Sequence, residues 1–570
     1  MNYDERVGLL ENWSLFQRKQ LFVLCMCVLP SGYTVFSVIF LLATPAHHCD
    51  LSPSTNLSQE WIEAISPAQS EHGALLQVGR RVCRGSSLGH VENASAHGLH
   101  PADNTTTSEL PSLGCHGWNF SQQYFTSTVV TEFALVCGDQ WKRDLSSMVF
   151  FFGGMCGCFV SGQLADRVGR KPVLFASLLL LSVFSWGLTF APSWPVFTAL
   201  FFMVGCGQAT TYIIVFVLGS ELLTGKMRVL FSTLGLPFSF TFGMMLLPYA
   251  AYLLSSWRHL AVTIAAVSSV ACLPFWWLVP ESPRWLLSQG HKQEAERILQ
   301  MAASPNQLQA PIRIFYPEQA ENRFRTDKLG ESGTFLDLLK ARNVRNIIVK
   351  LWICWFAIHV SYYGMAFITS SLFGNPFLNY FLVSVIELPA YVCSWLAATR
   401  CPRRKIFIMF GALGSTGLLL TSLTTDIWPT VTLVLVMLGK FGVLAAISCM
   451  YIHTGELFPT VIRNTAMSSC GMLGRVGAAL SPYLQHLAAV SPSLPWGVVA
   501  ALSLLSVMLV FSIPETFREP LPDSIEQMTK PQRFSLIFSD CFSVRENTDK
   551  KAITVSPVSP VAEVLCSTPL

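Results

Sequence analysis

The sequence predicts an all-α membrane protein of twelve spanning helices, arranged as two six-helix halves that repeat one another. Three observations carry this: an apolar bulk, twelve runs of membrane length, and motif pairs that recur at one offset. Of the 570 residues, 51% are hydrophobic and only 13% charged, and the mean hydropathy is +0.46, too apolar for a water-soluble enzyme of this size. The net charge of +4 lends no electrostatic support to a nucleic-acid partner.

The cytoplasmic N-terminal segment 1–20 mixes both signs of charge, and the apolar run after it is membrane-length, so the first span serves as its own insertion signal rather than a cleaved leader. Apolar runs of the ~20 residues that cross a bilayer fall at 21–43, 146–165, 173–192, 196–218, 229–253 and 258–279 in the N-terminal half (21–279). The C-terminal half (347–513) supplies 347–368, 377–398, 406–424, 429–452, 464–488 and 495–513. Two long polar segments interrupt them, 44–145 and 280–346, and a tail follows at 514–570.

Segment 44–145 carries the glycosylation sequons of Asn56, Asn93 and Asn104, and four cysteines, Cys49, Cys83, Cys115 and Cys137. Both features suit a large, glycosylated extracellular loop. Four cysteines allow three pairings, and the sequence does not choose among them. A fourth sequon, Asn119, lies in a stretch expected to fold against its neighbours. On the other side sit Arg167, Arg170 and Lys171, Lys226 and Arg228, Arg400, Arg403, Arg404 and Lys405, and Arg463. The positive-inside rule then places the 280–346 loop and both termini in the cytoplasm.

The halves show themselves as repeats. Glu221 precedes Arg228 by seven residues and Glu456 precedes Arg463 by seven, at an offset of 235. "DRVGRK" against "RCPRRK", and "PES" (280–282) against "PET" (514–516), match at 234. Duplicated halves are a transporter architecture, with the substrate site near the bilayer midplane between them.

"GQLADRVGRK" (162–171), joining spans two and three, resembles the cytoplasmic loop signature of the major facilitator superfamily. Asp166, Arg167, Arg170, Glu221, Arg228, Glu281, Arg284, Glu456 and Arg463 form an expected set of charge latches that bias one access state over the other. "GWNFSQQYFTSTVVTEFALVC", "PESPRWLLSQG" and "GELFPTVIRN" are similar to the organic-ion transporters of solute carrier family 22, over roughly 15–525. "YDERVGLLENWSLFQR" and "LVMLGKFGVLAAISCMYIHTGELFPT" look most like the carnitine and organic-cation branch. The resemblance implies a multi-pass plasma-membrane carrier of a small zwitterion or organic cation, working by alternating access. The alternatives are a carrier of anions or of cations alone and, in another class, a non-transporting receptor. No catalytic triad, metal cluster or phosphate loop stands out, so an enzyme and a resident cofactor are not expected.

Inside the predicted bundle, Arg475 sits in the apolar, small-residue stretch "MLGRVGAAL" (472–480). A guanidinium cannot discharge by deprotonation and grips a carboxylate bidentately. It therefore argues for a carboxylate-bearing substrate, or else for a protein partner such as Glu387 or backbone carbonyls. A zwitterion's ammonium calls for aromatic faces. Trp355 and Tyr362 lie seven apart on one face of span seven, and Tyr451 and Phe240 are further candidates, with Phe242 beside the latter. Matching to the carnitine branch favours Trp355, Tyr362 and Tyr451. Lys440 is a second intramembrane cation, assigned by the resemblance to the central cavity, and Glu387 pairs with one of the two cations or serves a coupling ion.

Gln208 sits in "GCGQATTY" (205–212), a stretch that lacks the lysine and strand-to-helix setting of a phosphate loop and reads better as close helix packing, with Gln208 facing the bundle. The resemblance implies Na+ as a coupling ion. Where sodium-dependent carnitine carriers have an asparagine and a glutamine, this chain has Ser31 and Leu181, which leaves fewer oxygen ligands. The C-terminal Thr568-Pro569-Leu570 fits strand addition to a PDZ scaffold.

Overall fold

A computed structural model describes residues 15–49, 85–86, 112–113, 118–272, 274–302, 342–369, 372, 374–425, 427–458, 460–488 and 490–517. The sequons at Asn56, Asn93 and Asn104, Cys83 and Cys115, and Thr568-Pro569-Leu570 lie outside them. Twelve long helices run in order: α1 (Leu15–Leu41), α2 (Gln140–Val168), α3 (Arg170–Thr189), α4 (Trp194–Leu222), α5 (Met227–Leu254), α6 (Trp257–Cys272), α7 (Arg342–Thr369), α8 (Pro376–Arg400), α9 (Arg403–Thr424), α10 (Pro429–Leu457), α11 (Thr460–Leu480) and α12 (Leu494–Val510). Among the described residues, α1 to α10 are long and apolar enough to cross a membrane; α12 is apolar but shorter, and α11, which carries Arg463 and Arg475, is long but less apolar than these.

Several depart from the expected spans for local reasons. Helices α2, α4 and α10 each run 29 residues, because their polar ends carry the helix beyond the apolar run. Helix α6 stops earlier than expected, ahead of Pro274 and a short 3-10 turn at Phe275–Trp277. In α8, Pro389 can donate no backbone hydrogen bond, and the helix breaks at Ile386. Glu387 thus opens the first turn of the second segment, where a helix end favours negative charge. Asn375 caps α8, its side chain accepting from the amides of Phe377 and Leu378.

Pairwise packing repeats six helices on. Helix α2 packs on α4 as α8 does on α10, α3 on α4 as α9 on α10, α1 on α5 as α7 on α11, and α3 on α6 as α9 on α12. The halves meet through α2 against α11 and, by the same symmetry, α8 against α5. Small residues permit this closeness. A Cβ on Gly207 would lie 2.8 Å from the backbone nitrogen of Leu181 on α3, and Gly205 abuts the Phe150 carbonyl of α2. "GCGQATTY" is accordingly helix packing and not a phosphate cradle.

Before α2, the strand His47–Cys49 pairs antiparallel with Trp118–Phe120. The stretch around Asn119 folds against its neighbours as expected, Asn119 standing opposite His48 with its own side chain exposed. This marks the loop end of the bundle; the opposite end carries the charged latches.

Candidate functional site

The latch end is built twice. Helix α3 begins where the Glu281 carboxylate accepts from the backbone amides of Arg170 at 3.0 Å and Lys171 at 3.2 Å. Helix α9 begins the same way, Glu515 accepting from Arg403 at 2.8 Å and Arg404 at 3.0 Å. Each carboxylate satisfies orphan amides and complements the positive helix end. Arg170 Nε then donates to Glu221 on α4 at 3.1 Å, and Arg403 Nη2 to Glu456 on α10 at 3.0 Å. Arg170 also donates to the Ala165 carbonyl, as Arg403 does to that of Ala398.

The expected latch residues therefore converge, but not as paired in the sequence. Glu221 and Glu456 bind Arg170 and Arg403 rather than Arg228 and Arg463, whose Nε atoms donate instead to the carbonyls of Leu223 and Phe458. Each glutamate is separated from its sequence-near arginine by a helix end, which turns the two side chains apart. Glu281 engages helix amides and not Arg284, which is exposed. Asp166, 74% exposed, pairs with Arg170 at 3.0 Å, and Arg167 is exposed. Arg403 and Glu515 were not anticipated as latch residues, although the 234-residue offset from "PES" to "PET" points to Glu515.

At mid-bundle lies an ion cluster closed to solvent. Lys440 on α10 and Glu387 on α8 have side-chain exposures of 1% and 0% and stand 3.2 Å apart. Tyr362 on α7 donates its hydroxyl to Glu387 Oε1 at 2.7 Å, and Thr241 on α5 donates to Oε2 at 3.3 Å. Lys440 Nζ also lies 3.3 Å from the centroid of the Tyr362 ring. Of the two cations open to Glu387, the structure pairs it with Lys440.

Arg475 is placed differently. It is half-buried on α11, and among the described residues no carboxylate lies within ion-pair distance of it. Within electrostatic reach of its guanidinium are Cys158 on α2, Tyr363 on α7, Tyr451 on α10 and Tyr212 on α4. Helix α11 reaches this depth because Gly474 and Gly477 lie against α7. A Cβ on Gly477 would stand 2.7 Å from the Phe356 carbonyl, whereas one on Gly471 would meet nothing within 4 Å.

The other expected binding residues divide. Trp355 is 1% exposed; His359 stacks on it with centroids 5.3 Å apart, Tyr451 meets it edge-on at 4.5 Å, and its Nε1 donates to Thr454. Neither Trp355 nor Tyr362 offers an open ring, since the face of the latter holds Lys440. Tyr451, 47% exposed, does. Phe240 is half-buried and meets Tyr212 at 5.2 Å, beside the Arg475 space; Phe242 is exposed. Gln208 is not a cavity residue. It is 3% exposed, and its Nε2 donates to the Ser31 hydroxyl at 3.0 Å, bracing α4 against α1.

An aromatic seal, unread in the sequence, closes the loop end above this space. Phe36 on α1 meets Tyr363, Tyr380 and Tyr362 across the halves at 5.4, 5.9 and 6.3 Å. Phe151 on α2 meets Tyr363 at 5.1 Å, and Phe40 stacks on Phe377 at 5.6 Å. Outside it lies a cavity of about 350 Å3 lined in part by Thr44, Tyr124, Arg143, Asp144 and Gln485. There the buried Asp144 of α2 pairs with Arg143 at 2.8 Å and with His486 beyond α11.

Known proteins bear out this architecture. The family model for sugar (and other) transporters matches residues 119–528. Human organic cation/carnitine transporter 2 is 40% identical over 93% of this chain and 94% of its own length, and mouse solute carrier family 22 member 4 is 39% identical over 97% and 99%. The fold matches the xylose transporter XylE from E. coli with a TM-score of 0.56 at 15% identity, over 89% of this chain and all of the other. A duplicated twelve-helix bundle with twinned charge latches, matched nearly end to end by these carriers, makes this chain a transporter rather than an enzyme, and it belongs to solute carrier family 22 of the major facilitator superfamily.

Proposed function

We propose that this chain is a plasma-membrane carrier of a small zwitterion, a quaternary ammonium bearing a carboxylate, moved by alternating access between the two halves. Arg475 carries the reading. Lys440 and Glu387 cancel one another, so the mid-bundle retains one positive charge that no described carboxylate answers. A fixed charge at this depth costs at least ~2.5 kcal/mol to insert, and a substrate carboxylate offsets that cost while bound. The exposed ring of Tyr451 beside it suits the ammonium end, and the human relative, an organic cation/carnitine transporter, points to the same substrate class.

Segment 44–145 is the extracellular side in this reading, glycosylated at Asn56, Asn93 and Asn104 and cross-linked from Cys137, which bears no free thiol. Both termini are cytoplasmic, and Thr568-Pro569-Leu570 meets a PDZ scaffold. The aromatic seal is then the closed extracellular gate, and the latch braces hold the helix ends of each half while the halves rock. Na+ coupling gains no support from Ser31, whose hydroxyl is committed to Gln208.

Labelled carnitine uptake in cells expressing the chain, with and without Na+, tests the reading. Uptake above control cells is expected. Uptake equal to control, beside robust transport of a dicarboxylate or steroid sulfate, refutes it in favour of the second reading, an organic-anion carrier, which the same unanswered charge on Arg475 also supports.

A further inference from the structure

His359 on α7 brings a hydrogen-bonding ring to the Arg475 space. Its Nδ1 lies 2.8 Å from the Trp355 carbonyl one turn back. A carbonyl only accepts, so Nδ1 carries the proton and donates, and in the neutral ring Nε2 is left as an acceptor. Among the described residues Nε2 makes no hydrogen bond, and the half-buried ring does not seal it within the packing. The ring itself is held in place. It stacks on Trp355 at an interplanar angle of 10° with centroids 5.3 Å apart, and α11 packs against it, where a Cβ on Gly474 would stand 3.1 Å from three ring atoms. The next residue is Arg475, which lies within electrostatic reach of the imidazole. Tyr451 meets the same Trp355 edge-on at 4.5 Å, so one buried indole supports both the exposed tyrosine ring and the imidazole beside the arginine.

We infer that His359 Nε2 accepts a hydrogen bond from the substrate, and that His359 thereby selects a carboxylate bearing a neighbouring hydroxyl, a β-hydroxy acid or β-hydroxy zwitterion, over its deoxy analogue. The inference rests on Arg475 as the carboxylate grip and deepens that reading by naming the substrate class. Stacking alone does not call for an imidazole, since a plain aromatic ring covers the Trp355 face equally well. A hydroxyl close to the carboxylate is the donor that fits, because it meets Nε2 while the guanidinium fork holds the carboxylate. A site that hydrogen-bonds a substrate hydroxyl disfavours the analogue lacking it, whose binding leaves the site's own polar atom unpaired.

The test uses the full chain and two matched pairs, carnitine against γ-butyrobetaine and 3-hydroxybutyrate against butyrate, the members of each pair differing by one hydroxyl. Uptake efficiency is read in expressing cells, and apparent Kd by thermal stabilisation of the purified protein. Wild type is expected to favour the hydroxylated member about tenfold, the order of one hydrogen bond to a partly buried acceptor. His359→Phe keeps the stack and loses the acceptor, and its preference ratio is expected to fall to about one. His359→Asn, able to keep the bond to the Trp355 carbonyl but too short to stand in for Nε2, is expected to lose the preference as well, which covers a His359→Phe that fails to fold. His359→Gln returns an acceptor at a similar reach and is expected to restore most of the preference. A purely structural role of the ring would not move a ratio between two ligands. A wild type with no preference in either pair, or a preference that the acceptor-less variants keep, overturns the inference and makes water the partner of Nε2. Carnitine uptake without a hydroxyl preference would leave the carrier reading intact. A wild type that carries no carnitine but binds 3-hydroxybutyrate over butyrate would refute the zwitterion reading and leave the role of His359 standing.

Discussion

Replacing Glu387 with leucine tests the energetic logic of the mid-bundle cluster. The carboxylate is fully buried and its Lys440 partner is 1% exposed, so the substitution leaves an ammonium without a counter-charge in a solvent-free site. Breaking one partner of such a pair costs about 3–5 kcal/mol. The Tyr362 hydroxyl and Thr241 Oγ1 lose their shared acceptor as well, at roughly 1–3 kcal/mol for each donor that finds no substitute. Removing both charges with Glu387→Leu/Lys440→Met spares the larger cost, because apolar replacement of a whole buried pair is often neutral. The expected signature is therefore a coupling energy: the double variant unfolds closer to wild type than Glu387→Leu does. Fluorescence-detected thermal unfolding of the purified chain provides the assay. A double variant no more stable than Glu387→Leu would show that the two charges do not depend on one another and would refute the reasoning.

Arg475→Ala is expected to abolish uptake of carboxylate-bearing substrates while surface biotinylation stays normal. Arg475→Lys keeps the charge but not the bidentate fork, and should weaken affinity by the ~1.5–3 kcal/mol of a charge-assisted hydrogen bond, read as a raised KM. Glu281→Gln and Glu515→Gln each remove a carboxylate from a helix N-terminus and should cost about 0.5–1 kcal/mol in thermal stability; the two serve different halves, so their costs should add, and a strongly non-additive double variant would contradict the separation. Gly477→Ala forces a Cβ to 2.7 Å from the Phe356 carbonyl and should destabilise by ~1–3 kcal/mol, whereas Gly471→Ala, with nothing within 4 Å, should not; equal effects on unfolding would mean that α11 is not held against α7 at Gly477.

The twelve spans and the duplication are legible in the sequence because hydropathy and motif offset are one-dimensional properties. The offset aligns Glu281 with Glu515, but not the helix amides that the two carboxylates clamp. Side-chain partnership is another matter. Seven residues separate Glu221 from Arg228, yet the helix ends between them, and Glu221 meets Arg170, 51 positions back. Trp355 and Tyr362 share a helical face as their spacing predicts, but periodicity does not tell which ring faces are already covered by His359 or Lys440. Gln208 reads as polar and inward, and it is; its partner is Ser31 rather than a ligand. What the sequence omits in each case is the rotation of one helix relative to its neighbour. For Arg475 the residue alone leaves a substrate or a protein carboxylate open, and among the described residues the candidate Glu387 is taken by Lys440.

The aromatic seal gives the transport cycle a thermal signature. Parting Phe36 from the tyrosines of α7 and α8, and Phe151 from Tyr363 and Phe367, hydrates apolar surface, and that raises heat capacity. The charged clamps at the other end stay within their own halves and contribute little to such a change. Opening toward the loop side is thus the step whose enthalpy varies most with temperature, so a plot of its rate against inverse temperature should curve while return steps run straighter. Temperature is thus the variable to which the aromatic contacts of this closure respond, beside the Asp144–His486 pair that also joins the halves at this end.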